Sequence, residues 1–308
     1  MADDRPLVSI GLPVYNGEEF LRQTLDSLLV QTYENLELIV SDNASTDGTE
    51  EICREYAARD QRVRYYRNAV NCGAAANANR VFVLSSGDYF MWASDEDYWA
   101  PAYVSSCMDV LANSDRIVLA GSWSTFVDAE TEEIILTDKG FSTVGLSACE
   151  RFKLHKLTIH SGAYVAAIFH GIYKRSPLSS VMPVWNIVLA DQLLLARLCF
   201  LGEFYVVPEL LMMKRRKKVS INWEEWHEEI GLNRPLLTNF PYFIRDVLYQ
   251  KIIFQADNLT LKEKVSLSRW SLAHHDHTFQ ELESVARFST RRVWNLARGV
   301  LWRDGAKQ

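Results

Sequence analysis

"LVSIGLPVYNGEEFLRQTLDSLLVQTYENLELIVSD", residues 7–42, holds three elements in a row. Its opening "LVSIGLP" (7–13) is apolar enough for a buried strand. Residues 18–31 place Leu21, Leu25, Leu28 and Leu29 at helical spacing, and "LELIVSD" (36–42) reads as a second strand. Two strands joined by a helix of this length run parallel, with the helix as crossover. The pattern continues outward. Asp47 with Glu50 three residues on resembles a capping box opening the next helix. "VRYY" (63–66) is a third short strand, "GAAANANRVFVLSS" (73–86) a helix rich in small residues, "DYFMWAS" (88–94) a fourth strand and 101–113 another helix. The expected fold is α/β, a Rossmann-like doubly wound, mostly parallel sheet.

After residue 120 the alternation weakens. Residues 116–138 read as strand, turn, strand, and 141–185 are mixed. "ADQLLLARLCFL" (190–201) is a helix with Leu193, Leu194, Ala196, Leu198 and Phe200 spread around it, which predicts burial. "EFYVVPE" (203–209) predicts a short strand stopped by Pro208, followed by the basic run "KRRKK" (214–218). Residues 223–308 look mostly helical, and no internal repeat is visible.

The bulk properties narrow the function classes. The chain has 308 residues, 48% hydrophobic and 23% charged, with a net charge of −6, so nucleic acid is not the expected partner. Five cysteines (Cys53, Cys72, Cys107, Cys149, Cys199) are widely spaced with no CxxC, which suits a reducing cytoplasm rather than a disulfide framework or zinc site. The start "MADDRPLVSIG" carries no signal-peptide pattern, and no stretch approaches the roughly 18 apolar residues of a spanning helix.

In doubly wound sheets, ligands bind beyond the carboxyl ends of the strands. The loops after the first, second and fourth strands are "PVYNGEE", "SDNASTDGT" and "SDEDYWAP", all rich in oxygen ligands and turn residues. Asp95, Glu96 and Asp97 repel one another unless water or a cation sits among them. Closely spaced carboxylates at a strand end suit Mg²⁺ or Mn²⁺ shared with substrate phosphates. Such a cation would neutralise a diphosphate as it leaves. Tyr15 offers a face for stacking a base, and Asp42 or Asn43 an acceptor for a base or ribose donor. Each feature alone has a plainer reading as a solvated turn, a helix cap or a packing aromatic. Their coincidence at one sheet edge favours a site for a nucleotide diphosphate with a metal.

The elements P-x-Y-N, S-L-L-x-Q-T-Y, D-N-x-S-T-D-G-T and N-x-G occur here in the order seen in family 2 glycosyltransferases, and the resemblance covers about residues 6–113. It implies the glycosyltransferase A-type fold, a D-x-D-type metal motif and inversion at the anomeric carbon by direct displacement. Pro13, Tyr15, Asn16 and Glu18 match the first nucleotide loop, and Asp42 and Asn43 the family's paired acids. The second of these is usually Asp, but the Asn amide can still accept from a uracil or thymine imide N–H. Asn71, Arg80, Ser94, Asp95, Arg215 and Arg216 complete the expected donor contacts. Counting from Gly87 to Pro101 puts Ser94 at the usual first Asp and Glu96 at the usual metal-ligating Asp, with Asp95 and Asp97 flanking. The metal ligands are therefore drawn from Asp95, Glu96 and Asp97. On this resemblance, 1–120 is the nucleotide-sugar-binding half, 121–220 the acceptor-binding half of the same catalytic domain, and 221–308 a helical C-terminal extension.

"ADQLLLARLCFLGEFYVVPELLMMKRR" resembles the family's segment from catalytic base to closing loop, with Asp191 at the second position of its E-D pair and Ala190 in place of the Glu. An inverting transferase needs one base for the acceptor hydroxyl, and the alternative role for Asp191 is a helix cap. Lys214, Arg215 and Arg216 match a basic loop able to cover the diphosphate; a solvated turn is the alternative. His155, His160 and His170 could line an acceptor pocket, though each suits a structural role better, and His274, His275 and His277 read as a surface turn. In 283–308 six Lys/Arg interleave with Val293, Trp294, Leu296, Val300, Leu301 and Trp302, the pattern of an interfacial anchor or of a helix packed on the core. The expected activity is a metal-dependent inverting transfer of a sugar from a UDP- or dTDP-type donor to a hydroxyl of a glycan or lipid-linked acceptor, in surface polysaccharide synthesis. It would occur in the cytoplasm, at the inner face of the membrane if the tail anchors. Two rivals stand beside it. A sugar nucleotidyltransferase would carry a glycine-rich basic first loop, which "PVYNGEEF" lacks; a catalytically impaired nucleotide- or glycan-binding relative would suit Ser94 and Ala190.

Overall fold

The computed structural model describes residues 5–158, 167–216 and 241–274. Four strands, β1 (Val8–Val14), β2 (Leu36–Asp42), β3 (Val63–Arg67) and β4 (Tyr89–Trp92), pair in parallel in the order β3-β2-β1-β4. Helices α1 (Leu21–Leu29), α2 (Thr49–Arg59), α3 (Ala74–Leu84) and α4 (Tyr103–Ala112) connect or follow them. Side chains alternate between the two faces of a strand. Leu38, Val40 and Met91 thus join the apolar layer under α1, α2 and α4, while Ile39, Phe90 and Trp92 join the layer under α3. Gly11 lets α3 lie close on β1, since a Cβ there would come within 2.7 Å of the Val81 side chain. The register pairs Val14 with Asp42 and Asp42 with Arg67, so the carboxyl ends of three strands finish in one row.

The sheet continues through the second half in the order β4-β8-β6-β9-β5, with β7 on β6. These strands are β5 (Tyr98–Trp99), β6 (Ile117–Asp128), β7 (Ile134–Asp138), β8 (Ile172–Lys174) and β9 (Glu203–Arg216). β6 and β9 run with the first four strands, and β5, β7 and β8 run against them. The doubly wound, mostly parallel expectation holds, as does the 116–138 hairpin. Pro208 does not stop its strand: the β6–β9 register jumps from Ser122–Val207 to Trp123–Leu210, so Pro208 and Glu209 bulge outward where no ladder N–H is needed. The basic run consequently ends a strand rather than forming a loop as far as Arg216. The capping box expected at Asp47 is also absent. Asp47 Oδ1 accepts from the Thr49 N–H at 3.1 Å, but Glu50 pairs with Arg54 and Arg67 instead of reaching back.

Helices α5 (Ala148–Thr158), α6 (Arg175–Val181), α7 (Ala190–Leu198), α8 (Pro241–Gln255) and α9 (Leu261–Ala273) complete the described residues. α7 is buried along Gln192–Ala196, as its sequence predicts. α8 packs behind it: Tyr249 meets Phe152 edge-on at 5.3 Å, and Lys156 Nζ pairs with Asp246 Oδ1 at 2.9 Å in the interior. Among the described residues no helix is long and apolar enough to cross a membrane.

Candidate active site

The loops after β1 and β2 are braced against each other. Asn16 stands at φ 51, a left-handed conformation Asn tolerates, and its Oδ1 accepts from the Thr46 N–H at 2.8 Å. The N–H groups of Asn16 and Gly17 donate to Ser45 Oγ and Thr49 Oγ1, and Glu18 accepts from the Gly48 N–H at 2.6 Å. Tyr15 is half-buried on this rim, one residue beyond the end of β1, while Pro13 lies within β1. The acidic triplet reaches the same edge. Gly17 packs closely on it, a Cβ there meeting the Asp95 carboxylate and the Val14 side chain, and Thr24 Oγ1 donates to the main-chain oxygens of Asp95 and Asp97 at 3.0 and 2.8 Å. Ser94 and Glu96 lie half-buried in this turn.

Asp42 ends β2 and Asn43 follows it, its N–H donating to Val14 O at 2.8 Å. Asp42 is 0% exposed; Tyr65 Oη donates to its Oδ2 at 2.8 Å, Arg67 pairs with the same oxygen, and the Ser45 N–H donates to Oδ1 at 2.8 Å. Asn43 Oδ1 accepts from Asn68 Nδ2 at 2.8 Å, the Cys72 N–H at 3.0 Å and the Cys72 thiol at 3.1 Å, and its Nδ2 donates to Asn71 Oδ1 at 2.6 Å. The oxygen expected to accept an imide N–H is therefore already saturated by protein donors. Arg67 and Asn68 stand at the end of β3, outside the three loops whose composition marks them in the sequence. The run "RYYRN" at the end of β3, beside β2 in a parallel sheet, is the signal that would have found them.

Asp97 is separated from its two neighbours by its partners. It is 1% exposed, pairs with Lys214, and accepts from the Arg215 N–H at 3.3 Å. Burial pushes its carboxyl above the ordinary range, and the Lys214 ammonium and Arg215 N–H oppose that. Arg215 donates to Glu96 O at 2.9 Å and Gln23 Oε1 at 2.7 Å and lies over the Phe20 ring, while Arg216 stacks over Phe126. Among the described residues no cluster of three or more His, Cys, Asp or Glu is built to hold a metal. A cation bound by one or two carboxylates together with a diphosphate would draw on Asp95 and Glu96 of this turn, Asp97 being paired with Lys214.

Asp191 heads α7. Burial pushes its carboxyl above the ordinary range, opposed by the N–H groups of Gln192 and of Asp191 itself at the helix start. Arg80 lies half-buried on α3. His155 is buried, with Nε2 2.9 Å from Gln192 O, and burial lowers its pKa to about 4. His170 has Nδ1 3.0 Å from Trp92 O, and burial keeps it well below the usual imidazole value. His274 stacks on Trp270. His160, His275, His277 and the 283–308 tail lie outside the described residues.

The family description "Glycosyl transferase family 2" matches residues 9–174. An uncharacterised glycosyltransferase of Rickettsia typhi is 32% identical over 169 residues, 54% of this chain and 48% of that protein. Glycosyltransferase GlyA of Streptococcus pneumoniae is 32% identical over 130 residues, 42% of this chain and 18% of that protein. The chain thus spans about half or less of the length of these curated relatives. Among solved structures, S. aureus TarS 1-349 in complex with UDP-GlcNAc superposes with a TM-score of 0.63 at 16% identity, covering 86% of this chain and 71% of that one. The mannosyltransferase PcManGT of Pyrobaculum calidifontis, in complex with GDP-Man and Mn2+, gives 0.51 at 15% identity, covering 97% and 82%. Both likenesses concern the fold, a glycosyltransferase A-type sheet.

Proposed function

The chain belongs to glycosyl transferase family 2, and from that premise we propose that it is a metal-dependent inverting glycosyltransferase using a nucleotide-diphosphate sugar of UDP or dTDP type. One observation carries the reading: loops after β1, β2 and β4 converge on one sheet edge, and a carboxyl raised by burial, that of Asp191, heads a helix of the same domain. Tyr15 stacks the base above the floor of Asp42 and Asn43, and Asn16, Glu18, Asn71, Arg80 and Ser94 line the rest of the donor path. Asp95 and Glu96 would hold Mn²⁺ or Mg²⁺, and the cation would supply charge neutralisation for the leaving group. Asp191 takes the proton of the acceptor hydroxyl as its oxygen attacks the anomeric carbon and the bond to the diphosphate breaks. A raised pKa brings such a base closer to neutrality, where it is most effective.

The acceptor would be a glycan or lipid-linked hydroxyl, and the setting surface polysaccharide synthesis in the cytoplasm, at the membrane face where the basic, tryptophan-bearing 283–308 segment makes contact. The division into 1–120, 121–220 and 221–308 belongs to the same proposal. The neighbours solved with UDP-GlcNAc and with GDP-Man and Mn2+ support a nucleotide-sugar donor, and the second supports a metal. Titration of UDP and dTDP by calorimetry, with Mn²⁺ and with EDTA, tests it. Affinity should rise about tenfold or more with the metal, and Asp95→Ala with Glu96→Ala should remove the rise. Equal binding in EDTA would end the metal reading, and donor binding without turnover would favour the non-catalytic relative.

A further inference from the structure

Asn79 lies on α3, on the donor side of the fold, yet its amide faces the backbone of one residue 105 positions away. Its Nδ2 donates to Val184 O at 2.9 Å, and the Val184 N–H donates to its Oδ1 at 2.8 Å. Val184 belongs to the segment that leads from α6 into α7, seven residues before Asp191. This segment has no strand or helix of its own to satisfy its main chain, so a two-way side-chain clasp supplies what a ladder would. We propose that Asn79 is a positioning residue that sets the catalytic base Asp191 against the bound donor, an inference that rests on Asp191 being that base.

Three further observations support it. First, α3 is itself tied to the donor site residue by residue. Asn77 exchanges two hydrogen bonds of 2.7 Å with Ser41, which precedes Asp42, and Trp92 Nε1 donates to Ala78 O at 3.0 Å, just before the acidic triplet. Asn77, Ala78 and Asn79 therefore tie together the strand under the donor floor, the strand that leads to the acids and the approach to the base. Second, the segment is gripped from its other side. The Arg197 guanidinium of α7 lies over the Trp185 ring at 4.3 Å and donates to Pro183 O at 3.3 Å. Third, Leu189, two residues before Asp191, adopts a left-handed conformation at φ 63, which a non-glycine residue keeps only where its surroundings hold it. A base displaced by about 1 Å costs a reaction of this kind roughly 100-fold in rate.

The test uses Asn79→Ala and Asn79→Asp in the full chain, the latter keeping an acceptor for the Val184 N–H while setting an oxygen against Val184 O. Hydrogen exchange should quicken in the peptide 182–192 and stay unchanged in 14–20. Affinity for UDP with Mn²⁺ should stay within about 2-fold, while kcat, read as nucleoside diphosphate released from a panel of UDP-, dTDP- and GDP-sugars, falls roughly 10- to 100-fold. In an Asp191→Asn background, Asn79→Ala should cause no further loss, because the group it positions is already inert. Unchanged exchange in 182–192, or a loss that multiplies fully onto that of Asp191→Asn, would overturn the inference. An inactive Asp191→Asn beside a fully active Asn79→Ala would overturn it alone and leave the base standing. Near-normal kcat in Asp191→Asn would remove both.

Discussion

Asp97 and Asp191 are both carboxylates that burial pushes above the ordinary range, and they differ in what faces them. Asp97, just past β4, is closed by the Lys214 ammonium and the Arg215 N–H. Asp191, at the head of α7, has main-chain N–H groups at the helix start. The Lys214 ammonium opposes the effect of burial on Asp97 and braces β9 against the donor loop. At Asp191 the main-chain N–H groups oppose burial without outweighing it, so its proton affinity stays raised, as suits a group that takes a proton in a reaction. The difference teaches that adjacency in an acidic motif does not assign chemistry; the partner does.

The sharpest way to break this contrast is Asp97→Ala. It leaves Lys214, 8% exposed, without its carboxylate in the interior, and removing one member of a buried pair costs about 3–5 kcal/mol. Urea unfolding should show that loss, and Asp97→Asn combined with Lys214→Met should recover most of it. A barely changed midpoint, together with abolished Mn²⁺-dependent UDP binding, would return Asp97 to the metal and dissolve the distinction.

Asp191→Asn should act in the opposite direction on stability as pH rises, while costing transfer about 100-fold or more. Burial raises the folded-state pKa, so the folded chain favours the protonated form. That contribution is fully present below the ordinary carboxylate value and is lost as pH rises through the folded value. Asn carries no such dependence, so the melting temperature of the variant should gain on that of the wild type as pH rises. The wild-type kcat should likewise fall on its acid side at a pH above the usual carboxylate value of about 3.9. A melting temperature for Asp191→Asn that falls behind that of the wild type as pH rises would mean that its charge has a stabilising partner.

The same difference explains what could be read in the sequence. The first four strands, their helices and the shared edge were legible because apolar period and crossover length are local properties, and Tyr15 and Asn16 sit where turn chemistry must occur. The long β9 was not. Pro208 breaks a strand in isolation and is tolerated here only because β6 supplies a register shift opposite it. Nor could the sequence foresee that Lys214 lies on a strand directed at Asp97, since the two are 117 residues apart and meet only through β5–β9 pairing. Asn79 is silent for the same reason: an Asn on a helix rich in small residues carries no mark of a partner beyond β8.

The smallest expected effect concerns Asn43 and tests whether the floor of the donor crevice is structure or recognition. The Asn43 side chain is 2% exposed and joined on both ends: three donors meet its oxygen, and its NH₂ meets Asn71 Oδ1 at 2.6 Å. Asn43→Asp introduces the residue usual in the family. It keeps the acceptor for Asn68 and Cys72 but sets a carboxylate oxygen against Asn71 Oδ1, beside the existing charge of Asp42. Losing that hydrogen bond in a buried setting costs about 1–2 kcal/mol. On the proposed donor site the cost falls on the 68–73 loop, so UDP affinity should weaken by roughly tenfold, with kcat at saturation little changed. If Asn43 instead reads a base through its oxygen, Asp is the stronger acceptor and affinity should hold or improve. Pairing Asn43→Asp with Asn71→Ser sharpens the result, because a serine hydroxyl can donate where the Asn71 oxygen could only repel. Recovery in that double variant would assign Asn43 to holding the loop, and tighter UDP binding by Asn43→Asp alone would assign it to the nucleotide.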